Sequence, residues 1–181
     1  MQGRTVMNYK ESLTNQINSF ARDPLARFVG YGLLNGKGGN GTMKEIPNDR
    51  IFETTVAENL MMGMAMGLAL KGLRPMVILE RFDFIGNCFD ALVNHIDKAA
   101  IISRGQWTPG VIVRVVVGNS RKPLFTGATH TQDFTAAFRK ILRMPVYRVT
   151  TPDEVAAGYE AAIADQKQNR STMIVELKDN L

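Results

Sequence analysis

Residues Ala57-Glu-Asn-Leu-Met-Met-Gly-Met-Ala-Met-Gly-Leu-Ala-Leu-Lys71, followed by Gly72-Leu-Arg-Pro75 and Met76-Val-Ile-Leu79, decide the fold. The first run is built of strong helix formers and stops at a glycine suited to the left-handed position past a helix end, which predicts a helix over 57–71. The apolar run after Pro75 predicts a strand over 75–79 that is buried on both faces, as strands of parallel sheets are.

Working outward, the same alternation recurs. Leu13, Ile17 and Phe20 have helical spacing, and Asp23-Pro24 ends their helix, predicted over 8–22. A strand over 27–31, a glycine-rich stretch over 32–47 without periodicity and a short strand over 50–52 complete the first part. Beyond Leu79 the pattern predicts a helix over 89–102, an apolar strand over 111–117, a helix over 133–142 and a strand over 146–149. A helix over 152–166 with Pro152 in its first turn and a last strand over 173–176 follow. This is an α/β pattern: an open, mainly parallel sheet with helices on both faces, in a single domain over 1–181.

The 181 residues carry a net charge of +5 (22 Lys and Arg against 17 Asp and Glu), with 45% hydrophobic and 22% charged residues. That is ordinary globular usage and excludes disordered and collagen-like chains. The single cysteine, Cys88, excludes an internal disulfide framework and a Cys-clustered zinc site and suits a reducing, cytoplasmic setting. No signal-peptide core and no bilayer-length apolar run are present, so a soluble protein without membrane partners is expected. Lys and Arg are scattered, their densest cluster being Ser120-Arg-Lys122. Nucleic acid is therefore not expected; the surplus suits solubility or an acidic partner.

Open parallel sheets bind ligands beyond the carboxyl ends of their strands, which directs attention to four segments. Gly36-Lys-Gly-Gly-Asn-Gly41 matches GxGxxG, but Pro47 cuts it short of a phosphate-binding helix, and a mobile surface loop is expected rather than a nucleotide site. Glu58 opens the apolar helix, where a carboxylate favourably meets the helix dipole. That helix has no charged face, which calls for a partner chain on its outer side, with Gly63, Ala65, Gly67 and Ala69 admitting close backbone approach. Glu58 then lies at an interface edge, where a desolvated carboxyl becomes useful for proton transfer. In Glu80-Arg-Phe-Asp-Phe84, alternation sends one phenylalanine to the core and the other to a cleft, where it can stack on a flat heterocycle. His130, in Gly127-Ala-Thr-His-Thr-Gln132, is a loop imidazole suited to acid/base work or to a surface cap, whereas His95 falls in the middle of a predicted helix.

Taken in order, Thr54-Thr-Val-Ala-Glu58-Asn59, Gly72-Leu-Arg-Pro75, Phe82-Asp-Phe84 with Asp90 and Asn94, Ser103-Arg-Gly-Gln106 and His130-Thr-Gln132 resemble the pyrimidine-binding (Pyr) domain of thiamine diphosphate enzymes. The likeness is to the N-terminal half of the beta subunit of 2-oxo acid dehydrogenase first components, and less closely to transketolase; it covers nearly the whole chain. The resemblance implies the thiamine diphosphate-binding fold of Pyr type. It implies that Glu58 bonds a ring nitrogen of the cofactor's aminopyrimidine, that Phe84 stacks on that ring with Phe82 on the same wall, and that Asn87 approaches it. It implies that His130 serves the reaction intermediates and that Asp165 lies near a monovalent-cation loop, although Gln166-Lys-Gln-Asn-Arg170 departs from the family pattern.

The chain ends near Leu181, where the family's beta subunit continues into a second domain, and it lacks the Gly-Asp-Gly…Asn signature that holds the diphosphate through Mg²⁺. The expectation is therefore a split enzyme: a Pyr subunit active only with a separate diphosphate-binding subunit that holds Mg²⁺, in a heterodimer or heterotetramer acting on a 2-oxo acid or ketose. The alternative is a non-catalytic Pyr-like subunit serving assembly or regulation.

Overall fold

In a computed structural model of the chain, residues 7–34, 38–125 and 127–181 are described. Asn8 begins helix α1 (Tyr9–Ala21) with a capping box to Glu11, and the chain turns through Asp23-Pro24 into strand β1 (Ala26–Gly30). Strand β2 (Ile51–Glu53), helix α2 (Glu58–Leu70) and strand β3 (Arg74–Leu79) follow, with Gly72 at φ +82° ending the helix as its position predicts. Strand β4 (Ile112–Val117), helix α3 (Thr135–Ile141), strand β5 (Val146–Val149), helix α4 (Pro152–Lys167) and strand β6 (Thr172–Leu177) complete the regular elements.

The six strands form one sheet in the order β2-β1-β3-β4-β6-β5, and every pair is parallel. Alternate strand residues feed two cores. On one face Phe28, Met76, Ile78 and Ile174 meet Leu13, Ile17 and Phe20 of α1 and Val155 and Ala162 of α4. On the other, Val77, Leu79, Val113 and Val175 meet Met61, Met62 and Ala65 of α2 and Phe138 of α3. Each such fully buried aliphatic side chain contributes about 1.5–3 kcal/mol, so the β-period of the strands fixes both layers at once.

The helix expected over 89–102 is broken. Phe82, Ile85 and Cys88 are buried at a spacing of three, which suits a 3-10 helix, and Phe82–Cys88 adopts one. Ala91–Ile96 then widens into a π-helix, with Asp97 N–H donating to the Leu92 carbonyl at 3.0 Å, before a single α-turn at Ala99–Ile102.

The glycine-rich stretch is not a mobile surface loop in its described part; Gly36 and Lys37 lie outside the described residues. Leu33, Met43 and Ile46 are buried. Glu53 accepts the N–H groups of Leu33 at 2.8 Å, of Leu34 at 3.0 Å and of Gly32, while Glu80 accepts that of Gly39. Gly38–Gly41 is one turn with Gly39 and Asn40 left-handed, too short to aim a helix terminus at a phosphate.

A second departure lies inside the apolar strands. Arg114 of β4, wholly buried, donates to both carboxylate oxygens of Glu176 of β6 at 2.8 Å and to the Gly39 carbonyl at 3.1 Å. The Tyr159 hydroxyl donates to the same carboxylate. A Cβ on Gly39 would lie 2.4 Å from Arg114 Nη1, so only glycine fits between the loop and this ion pair.

Candidate functional site

Strand order reverses between β1 and β3, and in open parallel sheets the crevice over such a reversal is where ligands bind. The segments leaving these strands and their neighbours bring Tyr31, Glu58, Glu80, Phe84, Asn87 and His130 to this end of the sheet.

Glu58 is the first residue of α2, preceded by Ala57, which supplies no side-chain cap. The helix end therefore favours its negative charge, yet the residue is only 5% exposed. Asn87 Nδ2 donates to Glu58 Oε2 at 3.3 Å. Val56 and Leu60, apolar and exposed, flank the carboxyl along the chain. Burial, followed by the charge of Glu58, pushes the Cys88 thiol up to about 12. Burial, followed by the charges of Glu80 and Glu58, also raises the Tyr31 phenol. Tyr31 was not singled out from sequence, where it reads as the last residue of the strand over 27–31; in the structure it lies one residue past β1.

Of the two phenylalanines, Phe82 belongs to the core. It is fully buried against Phe134 and Phe138, with ring centroids 5.7 and 5.6 Å away, so its expected place on the same wall as Phe84 is not met. Phe84 is half-buried and stands edge-on to His130, centroids 5.4 Å apart at 81°. His130 also meets Phe125 at 6.0 Å, and its Nδ1 lies 3.0 Å from Thr129 Oγ1. The loop carrying His130 comes so close to the strand it left that a Cβ on Gly118 would lie 1.6 Å from the His130 carbonyl oxygen.

Two further residues fall elsewhere. Asp165 pairs with Arg170, whose guanidinium bonds Oδ1, and its own carbonyl accepts the N–H groups of Gln168 and Arg170 at 2.9 and 3.0 Å. His95 is exposed and pairs with Asp90 at 3.2 Å.

On α2, Met61, Met62 and Ala65 face the core, while Leu60 and Leu70 are 53% and 45% exposed. Gly63 and Gly67 are exposed as well, and a Cβ at either would meet nothing within 4 Å. Ala65, expected on the outer stripe, faces inward instead. The outer face is thus apolar and small, and no packing within the described residues calls for its glycines. Among the described residues no helix is long and apolar enough to cross a membrane.

A parallel sheet with a buried carboxyl, an aromatic ring and a loop histidine gathered at its reversal point defines a ligand-binding α/β domain. The chain belongs to the family described as transketolase, pyrimidine binding domain, which matches residues 7–181. It is similar to the beta subunit of acetoin:2,6-dichlorophenolindophenol oxidoreductase of Cupriavidus necator, 28% identical over 157 residues covering 80% of this chain and 46% of that protein. It is also similar to the pyruvate dehydrogenase E1 component subunit beta of Gracilaria tenuistipitata var. liui, 30% identical over 135 residues covering 73% of this chain and 41% of that protein. The chain thus spans less than half the length of these relatives. Among solved structures, a split gene transketolase in an inactive beta4 tetramer shares the fold, with a TM-score of 0.64 at 18% identity over 92% of this chain and 48% of that one.

Proposed function

We propose that the chain is the pyrimidine-binding subunit of a split thiamine diphosphate-dependent enzyme, one that decarboxylates a 2-oxo acid or transfers a ketol or acyl unit together with a diphosphate-binding subunit. The observation that carries this reading is Glu58: a nearly dry carboxyl at the reversal point of the sheet, with Asn87 on one oxygen. The residues present suit an aminopyrimidine, which needs one carboxyl toward a ring nitrogen and one aromatic face. Glu58 supplies the first and Phe84 the second.

Bound there, thiamine diphosphate supplies a nucleophilic carbon for attack on a carbonyl. Glu58 holds a proton between its carboxyl oxygen and the pyrimidine ring nitrogen, and Asn87 fixes the rotamer that makes this possible. Phe84 orients the ring and excludes water from that bond. His130, on a loop between β4 and α3, is the acid/base group toward the substrate side.

The outer face of α2 begins at Glu58 and ends at Leu70, and it is the surface we assign to the diphosphate-binding subunit. Two features support the assignment: its exposed leucines, and glycines that cost helix stability without serving this chain's own packing.

Calorimetric titration with thiamine diphosphate and Mg²⁺ tests the reading. Binding by the reconstituted pair, and none by the isolated chain, is expected. A pair that assembles but binds no cofactor would make this a non-catalytic assembly subunit.

A further inference from the structure

We infer that Asp83 is a positioning residue that latches the His130 loop against the wall formed by Phe84; its kinetic consequence rests on the role proposed above for His130. Asp83 and Phe84 are adjacent, and each holds one point of the same loop. Asp83 Oδ1 accepts two bonds from Gln132, from its backbone N–H at 3.3 Å and from Nε2 at 3.0 Å. Phe84 meets the ring of His130, two residues earlier in the loop. The bare Cα of Gly118 admits the His130 carbonyl, a further point at which the loop is seated. Thr131 Oγ1 donates to the Gly127 carbonyl at 2.7 Å and rounds the loop locally, but it adds no tie to the rest of the domain. Among the described residues, the Asp83–Gln132 pair is therefore the side-chain hydrogen-bond tie between this loop and the segment that carries Phe84 and Asn87.

Asp83 Oδ2 is buried and has no hydrogen-bond partner among the described residues. A buried carboxylate oxygen left without a donor is a cost to folding, so the fold alone gives no reason for an acid at this position. Aiming a loop imidazole gives a reason for a side-chain acceptor here, which Asp83 supplies through Oδ1. A latch that engages through Oδ1 alone needs an acceptor rather than a charge, and asparagine can replace aspartate in it.

The chain has only two histidines, so the ring-proton signals of His130 and His95 can be followed individually in the full-length chain. Asp83→Ala is expected to move the His130 signals toward those of an exposed imidazole, through loss of the Phe84 ring current, with His95 unmoved; Gln132→Ala, which loses the Nε2 bond and keeps the backbone N–H bond, is expected to move them part of the way. Asp83→Asn is expected to leave both in place. Should Asp83→Ala unfold the domain, shown by His95 moving too, Gln132→Ala decides the question, since it leaves Asp83 in place. His130 signals that stay put in Gln132→Ala, or an Asp83→Asn variant that behaves like Asp83→Ala, would overturn the latch. In the reconstituted pair, Asp83→Ala is expected to lower kcat at least about tenfold at little changed KM, with Asp83→Asn restoring it. Moved signals with unchanged kcat would leave the latch standing and overturn instead the role given to His130.

Discussion

Replacing Arg114 by methionine removes, among the described residues, the buried cation of the sheet and leaves Glu176, 1% exposed, holding a charge with the Tyr159 hydroxyl as its remaining described hydrogen-bond partner. Two bonds of 2.8 Å disappear, and so does the 3.1 Å bond to the Gly39 carbonyl. Breaking a buried ion pair from one side costs about 3–5 kcal/mol, and the lost carbonyl contact adds about 1 kcal/mol. For a domain whose whole stability is about 5–15 kcal/mol, this is a severe loss. Adding Glu176→Leu removes the stranded charge and leaves only the Tyr159 hydroxyl unpaired. The double variant is therefore expected within about 1–3 kcal/mol of the parent and above Arg114→Met alone. Urea unfolding followed by circular dichroism measures all four corners of the cycle. An Arg114→Met variant that loses less than about 1 kcal/mol, or a double variant no more stable than it, would refute the reasoning.

Gly118→Ala is expected to unseat the His130 loop, since its Cβ would lie 1.6 Å from a backbone oxygen. The cost of about 1–3 kcal/mol should appear in thermal unfolding, with faster proteolysis within 118–133. The Cys88 thiol, pushed up to about 12 by burial and then by Glu58, should resist iodoacetamide at neutral pH in the native chain and react once it is denatured. Burial alone would raise the Asp133 carboxyl, but bonds from Thr135 and Arg148 outweigh it and hold the group below its usual value. A carboxyl lowered by folding adds stability above its unfolded pKa, and that stability is lost as pH falls through the folded value. Arg148→Met should therefore lower stability at neutral pH and flatten its fall in acid, as thermal melts across that range would show.

The strands were legible because their apolar period is unambiguous: β5 is predicted at its observed bounds, β3 differs by one residue at its start, and β6 by one residue at each end. The helix expected over 89–102 was not, because a π-turn resembles an α-helix when only apolar residues are counted, and the alternation read over Phe82-Asp-Phe84 assumed an extended chain where Phe82–Cys88 forms a 3-10 helix. The lone Arg114 in Ile-Val-Arg-Val-Val-Val and the lone Glu176 in Thr-Met-Ile-Val-Glu-Leu were readable as a pair of opposite charges in two apolar strands. Their meeting depends on strand order, which period does not reveal. The same holds for the glycine-rich stretch. Nothing in its own composition shows that Glu53 and Glu80, on two neighbouring segments, bind its amides. At the site, Glu58, Phe84, Asn87 and His130 were marked by residue type and position after strands, whereas Phe82 and Phe84 were told apart only by which ring reached the core.

In the function proposed above, the Glu58 carboxyl activates a bound cofactor through proton exchange with its pyrimidine ring. Glu58→Gln keeps the shape and the Asn87 contact while removing the exchangeable acid. In the reconstituted pair, hydrogen–deuterium exchange at the reactive carbon of thiamine diphosphate is expected to slow by about 10²–10⁴-fold, while cofactor affinity changes little. Exchange and turnover at the parent rate in Glu58→Gln would contradict the account.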